Sequence, residues 1–310
     1  MFKRLELHNH TTESDASLTV RDLIDFMLLD QVDAFAITDH NTISGHRKAK
    51  AILEREKLPI ECIYGMEYTT YYGHILCLNL NKYISWENID LNKPEKLFSA
   101  VHEKGALCGI AHPYSYGAPF ARGCGWDMTV HDYDSFDFIE IFNNPEPLHE
   151  VNEKGFLWWE KLVLNGHRLA MTTGMDLHGR WNMAGHYATY VECEADELIA
   201  FALDRAIRTQ KTYVSKGPVF CIRNEGRYLV PFLADQVKPG FVHDVSKEYL
   251  VCYRTVGTET VKRLLDQGGS IAISEMGDPS IVMASLYEGD TEIEHLTAIA
   301  PAIYRLCGQS

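Results

Sequence analysis

Histidines and carboxylates recur at one kind of place along this chain, where an apolar, strand-like run gives way to a polar loop. His8 and His10 follow the run RLEL, and Asp39 and His40 close DAFAITDH. Glu67 lies at the end of IECIYGMEY, His112 closes ALCGIAH, and Asp176 and His178 follow RLAMTTG. One histidine at a strand end is ordinarily a surface or core residue. Five strand ends that all deliver ligand-type residues are hard to explain that way. In parallel α/β barrels the carboxyl ends of the strands converge on one face, and active sites form there. H-x-H after a strand also puts both rings on one side, because side chains alternate with a period of two, and Asp176 and His178 repeat that spacing. Such a collection of nitrogen and oxygen donors suits zinc, manganese or iron.

The elements that must hold these residues alternate. RLEL reads as a strand, followed by a helix over Leu18–Leu29 in which Val20, Leu23, Ile24, Met27 and Leu28 recur at helical spacing. DAFAITD is a second strand and Ser44–Glu56 a second helix. IECIYGMEY and HILCLNL read as a hairpin-like pair. Asn92–Lys104 reads as a helix with Pro94 near its start and Gly105 just past its end. ALCGIAH, FDFIEIFN and RLAMTTG are strands, and helices are expected around Phe156–Leu164 and over Ala195–Thr209. Repeated β-α alternation predicts a mostly parallel sheet or barrel. Past Tyr213–Pro218 the pattern changes to β-like runs, with only ETVKRLLDQGG (259–269) reading as helix. We therefore expect an α/β barrel over residues 1–218 and a small β-rich domain over 219–310 that carries no ligand cluster.

The composition narrows the setting. The chain has 310 residues, 46% of them hydrophobic, enough for one large domain or a large domain with an appendage. Its formal net charge of −14 disfavours nucleic acid as a structural partner and anionic membrane as a surface, but leaves an anionic substrate open where bound cations set the local field. No apolar run approaches the roughly 18 residues of a membrane helix. No secretory leader is visible at the start, so a cytoplasmic protein is expected. None of the eight cysteines forms a C-x-x-C pair, and they read as reduced and mostly buried, with Cys124 in a Gly-flanked loop.

The segments ELHNHTTESDAS, AITDHNT, YGMEYTTYYGHILCL, IAHP and TTGMDLHG, in that order over roughly residues 5–180, resemble the ordered motifs of the PHP (polymerase and histidinol phosphatase) family. The resemblance implies a distorted seven-stranded barrel around a cluster of two or three divalent ions (zinc, manganese or iron). It implies that His8, His10 and Asp176 bind one ion and that Glu67 bridges it to a second, finished by His74 and His112. A third would take Asp15, His40 and His178. The family often has His where Asp15 stands and Gly where Ala16 stands. A carboxylate bridge holds two cations about 3.5–4 Å apart and yields a bridging hydroxide near neutrality, the expected nucleophile.

Other residues fit around this centre. Arg122, in the loop Pro113–Tyr133, is a candidate phosphate clamp. Asn143 and Asn144 are candidates for substrate or ligand-supporting contacts, and Asp39 for orienting a ligand histidine. His186 reads as structural, and His46, His102, His131, His149, His167, His243 and His295 as surface or capping residues. The leading expectation is a phosphomonoesterase acting on a small molecule. The second is a carboxylic or carbamate ester or amide hydrolase, which an apolar cleft lined by Tyr71, Tyr114, Tyr116, Phe120 and Trp126 would favour. The third is an idle metal-bound scaffold. The short segment between Glu67 and His112 makes a nucleotide monophosphate a weaker expectation, because nucleotide-cleaving relatives carry a large insertion there.

Overall fold

The structure, a computed structural model, describes residues 1–310 except 86, 88, 117–122, 144–149, 184, 235–245, 258–260, 266–267 and 305–310. Its first part runs β1 (Phe2–Glu6), α1 (Val20–Leu29), β2 (Ala34–Ile37), α2 (Ser44–Glu56), β3 (Glu61–Thr70), β4 (Gly73–Leu78), α3 (Pro94–His102), β5 (Leu107–Ile110), β6 (Phe138–Asn143), α4 (Glu150–Leu164), β7 (Ala170–Gly174), β8 (Ala188–Glu192), α5 (Ile199–Arg208) and β9 (Tyr213–Ser215). Helix α1 begins where Thr19 and Asp22 form a reciprocal capping box, and it buries Val20, Leu23, Ile24 and Met27 along one stripe. Helix α3 opens on Pro94, whose missing N–H costs nothing in the first turn.

Strands β1 to β7 lie in sequence order, and β8 flanks β1 on the other side. The pairs β1/β2, β2/β3, β5/β6 and β6/β7 are parallel. Strand β4 interrupts them, antiparallel to both neighbours, so its first residues stand beside the last residues of β3 and β5. The expected distorted seven-stranded barrel is not closed by backbone hydrogen bonds among the described residues. Among the described residues no ladder joins β7 to β1 or β8, and the sheet path stays open there. Two smaller links span the gap. The Thr189 hydroxyl on β8 donates to the Thr173 carbonyl on β7 and accepts from its N–H, and Asn9 bridges Leu177.

The C-terminal part is β10 (Phe220–Asn224), β11 (Tyr228–Leu233), β12 (Tyr249–Arg254), β13 (Val261–Leu264), β14 (Ile271–Ala272), β15 (Ile281–Glu288), β16 (Leu296–Ile299) and β17 (Ile303–Tyr304). It is rich in strands, as expected. Strands β12, β13, β15 and β16 extend the main sheet by way of the β9–β16 pairing, while β10, β11 and β14 form a small sheet of their own. The helix expected over 259–269 is overturned, because Val261–Leu264 is a strand laddered antiparallel to β12. Ladder partners decide such a segment over its propensity for helix. Met283, Tyr287, Leu296 and Ile299 share one core with Phe142, Phe156 and Trp159 of the first part. The Arg254 guanidinium donates to both carboxylate oxygens of Glu160 on α4, at 3.0 and 2.7 Å.

Candidate metal centre

The loops after the parallel strands are fixed before any ligand is considered. The Asn9 amide donates to the Ala36 and Glu6 carbonyls, and the Asn9 N–H donates to the Thr38 hydroxyl, so the β1 and β2 exits move as one. Asp39 accepts from the Thr11 N–H at 2.7 Å, the Thr11 hydroxyl at 2.8 Å and the Ser14 hydroxyl at 2.7 Å. Its role is to shape the loop that carries Asp15, not to orient a histidine as expected. His112 (φ 25°) and Asp176 (φ 50°) both take left-handed backbone conformations that non-glycine residues avoid, and such strain collects at functional sites. Gly174 ends β7 where a Cβ would lie 2.4 Å from the His8 Cβ and 2.8 Å from the Glu140 carboxylate, so only glycine leaves room for both.

Glu67 is the centre of the arrangement. Its Oε1 lies 2.8 Å from His74 Nδ1 and 2.9 Å from His112 Nε2. Its Oε2 lies 2.9 Å from His40 Nδ1 and 3.3 Å from the Nε2 atoms of both His8 and His10. Each carboxylate oxygen thus faces its own group of imidazoles. Asp176 Oδ1 closes one side, 2.9 Å from His10 Nε2 and 3.4 Å from His8 Nε2. On the other side Asp15 stands 3.3 Å from His178 Nε2 and 3.6 Å from His40 Nε2. Two four-residue groups, His8–His10–Glu67–Asp176 and His10–Asp15–His40–His178, each present donor atoms within 4.8 Å of one another, as does the trio His40–Glu67–His74.

Three of the rings are anchored from behind. His112 Nδ1 lies 2.9 Å from the Cys124 carbonyl, His178 Nδ1 lies 2.9 Å from the Asp176 carbonyl, and His8 Nδ1 lies 3.0 Å from Glu140 Oε1. Outer partners of this kind fix the ring and turn the other nitrogen inward, the habit of metal-ligating histidine. The inward atoms His8 Nε2, His10 Nε2, Glu67 Oε2 and Asp176 Oδ1 are buried without a directed hydrogen bond. Buried polar atoms are nearly always satisfied, so this concentration of exceptions calls for a partner they share. A divalent cation fits the donor set.

The electrostatics agree. Burial alone would raise the pKa of Glu67, but His8 and His74 reverse it and hold the carboxylate well below its ordinary range. Asp176 is depressed likewise, with His8 and His10 overcoming its burial. Burial pulls the neighbouring imidazoles down, yet the carboxylates lift His10 and His112 to about 9, while His74 stays lowered by burial. Positive charge is strongly favoured at this point, whether protons or a cation supply it.

The structure therefore brings His8, His10, Asp15, His40, Glu67, His74, His112, Asp176 and His178 to one place. Arg122, Asn144 and Phe120 lie outside the described residues. Asn143 is buried and donates to Glu140. His46, expected at the surface, is buried with Nε2 2.7 Å from the Gly65 carbonyl and its ring stacked on Tyr64. Two supporting residues escaped the sequence reading. Glu140 holds the His8 ring and accepts from the His112 N–H at 3.0 Å, and Glu6 accepts from the N–H groups of Met175 and His8. Burial pushes the Glu6 carboxyl up to about 8. The available signal was a carboxylate flanked by apolar residues within each of two strands, Glu6 in RLEL and Glu140 in FIEIF.

Comparison with known proteins meets this geometry. Residues 6–112 match the PHP domain. Over 115 residues the chain is 36% identical to an uncharacterized protein of Methanocaldococcus jannaschii, covering 36% of this chain and 58% of that one. Over 132 residues it is 35% identical to the 5'-3' exoribonuclease Rnm of Escherichia coli, covering 38% of this chain and 45% of the relative. The chain thus spans about half the length of these relatives. A two-domain protein from Bacteroides vulgatus, described as containing a predicted PHP-like metal-dependent phosphoesterase, superposes over 98% of this chain and 95% of its own with a TM-score of 0.56 at 15% identity. That likeness is one of fold, and it takes in the strand-rich C-terminal part.

Proposed function

We propose, from the PHP domain that residues 6–112 carry, that this protein is a metal-dependent phosphoesterase, with His8, His10, Asp15, His40, Glu67, His74, His112, Asp176 and His178 as the ligands of two or three divalent ions, zinc, manganese or iron. The observation that carries the reading is Glu67, one buried carboxylate whose two oxygens face two groups of imidazoles. When bound, such cations supply Lewis-acid polarisation of a phosphoryl group and a nucleophilic water at neutral pH. The chain's own part is to hold geometry. Glu140 and the Asp176 and Cys124 carbonyls lock ring orientations, Asp39 braces the Asp15 loop, and Gly174 makes space for His8. The substrate we favour is a small phosphate monoester, with Arg122 as its clamp. Replacing Glu67 by Gln tests the reading. An amide offers one neutral acceptor oxygen in place of two anionic ones, so phosphate release and metal content should fall together.

A second substrate class has its own observation. Tyr71, Tyr114, Tyr116 and Trp181, each between 40% and 56% exposed, sit on segments that adjoin the Glu67–His74, His112 and His178 ligand positions. Exposed aromatic rings beside a phosphate-cleaving centre are stacking platforms for nucleobases, and the Escherichia coli relative is an exoribonuclease. Parallel assays on p-nitrophenyl phosphate and a short 5'-phosphorylated RNA separate the two classes, and p-nitrophenyl acetate covers the ester hydrolase alternative.

A further inference from the structure

A second group of donor side chains lies away from the Glu67 cluster, and nothing in the proposed chemistry uses it. His102 ends α3, Cys108 is the second residue of β5, and Asp137 immediately precedes β6. His102 Nε2 stands 2.8 Å from Asp137 Oδ2 and 3.5 Å from Cys108 Sγ, and the three donor atoms lie within 4.8 Å of one another. Cys108 belongs to the same strand that leads to His112. Four residues of extended chain separate them by about 13 Å, so the two clusters occupy opposite ends of the strand.

We propose that His102, Cys108 and Asp137 form a second metal site, for a thiophilic divalent cation, with zinc the best match. Zinc takes sulfur at about 2.3 Å and imidazole nitrogen at about 2.0–2.1 Å, which in a tetrahedron places the two donors about 3.5 Å apart. The sulfur and nitrogen already stand at that separation. The carboxylate now touches the ring and needs a shift of only about half an ångström to become a ligand in the same geometry. Access is provided for. The thiol is buried, whereas the His102 and Asp137 side chains are 35% and 14% exposed and form the mouth. Burial keeps the free thiol protonated. On binding, the sulfur–hydrogen bond is therefore exchanged for a sulfur–metal bond and the thiol proton leaves to solvent, while the His102 Nε2 proton that faces Asp137 is given up and the ring is kept neutral by a proton on Nδ1. Arg208, the nearby cation, is held by the Asp204 carboxylate at 3.0 and 3.1 Å, and Asp137 Oδ2, which also accepts the Cys108 N–H, keeps Oδ1 for a ligand. Cys77 faces Cys108 across the β4–β5 ladder, but its sulfur points to the Ile75 carbonyl and stands outside the trio.

Cadmium titration of the metal-free full chain tests the site, because cadmium bound to a thiolate absorbs in the ultraviolet by charge transfer. The expected result is one saturable thiolate band that survives Glu67→Gln, Cys124→Ala and Cys77→Ser but disappears in Cys108→Ser. Cys124 is included because its backbone adjoins the other cluster. His102→Gln, which keeps a hydrogen-bond donor toward Asp137 at a partly exposed position, should weaken cadmium binding about tenfold or more, since even an outer partner of a ligand is worth that much. No band in the wild type, a band that persists in Cys108→Ser, or unchanged affinity in His102→Gln would each overturn the proposal.

Discussion

The two donor clusters stand at opposite ends of the same strands, and they differ in what surrounds them. At the carboxyl ends, a single carboxylate gathers five imidazoles, and its Oε2, with the His8 and His10 Nε2 atoms and Asp176 Oδ1, is buried without a directed hydrogen bond. At the amino ends, one imidazole, one carboxylate and one thiol meet, and Asp137 also accepts the Cys108 N–H at 2.8 Å. The first arrangement has no purpose as a piece of packing, since the folded chain gains nothing from crowding like-charged rings and orphaned oxygens. The second also serves as a strand and helix anchor. Donor chemistry separates them further. Nitrogen and oxygen alone accept manganese and iron as well as zinc, whereas the thiol selects softer ions.

That contrast can be broken most readily at Glu67. Glu67→Gln should lower phosphate release by at least about a thousandfold, equivalent to about 4 kcal/mol of barrier, with the far-ultraviolet circular dichroism unchanged. Retained turnover would remove the bridge. Arg122→Ala should cost about 1.5–3 kcal/mol with a phosphate monoester, a tenfold to hundredfold loss in kcat/KM, because a guanidinium fork suits phosphate oxygens. On p-nitrophenyl acetate the same change should matter little. Equal small effects on both would take Arg122 out of the site, and a larger loss on the acetate would favour the ester hydrolase.

Glu140→Gln sharpens the comparison, since Glu140 supports a ligand and is not one itself in our assignment. We expect about a tenfold to hundredfold loss in metal affinity, restored in activity by excess metal. A defect that no metal concentration rescues would make Glu140 a participant in its own right. At the far end of β5, His102→Gln should leave turnover of the manganese-loaded enzyme within about twofold, because the altered ring touches Asp137 and Cys108 and belongs to neither group of Glu67 ligands. A loss as large as that of Glu140→Gln would mean that the two clusters act as one.

The two clusters were not equally legible in the sequence. His8, His10, His40, Glu67, His112, Asp176 and His178 stand out because parallel strands end on one face, and donor residues at strand ends can be picked out by position alone. His74 obeys the opposite rule. It is the second residue of β4, which runs antiparallel and therefore starts, not ends, at the cluster. Only the family resemblance reached it, and likewise Asp15, which belongs to a loop. Glu140 and Glu6 were passed over because each sits in an apolar strand, where partners from other strands give the charge its meaning. The trio His102, Cys108 and Asp137 has no motif at all, because α3, β5 and the entry to β6 bring it together from three separate elements. The same dependence on distant partners misled the helical reading of ETVKRLLDQGG, since the β12 ladder decides the conformation of Val261–Leu264.

The central claim is that Glu67 bridges two cations, and manganese reports on that directly. Manganese ions sharing a carboxylate couple magnetically, and the thiol-bearing trio disfavours this hard ion, so it does not confuse the signal. Electron paramagnetic resonance of the manganese-reconstituted chain should give an exchange-coupled spectrum that Glu67→Gln converts to that of isolated ions or abolishes. A spectrum of isolated ions only in the wild type, or coupling that survives Glu67→Gln, would contradict the account.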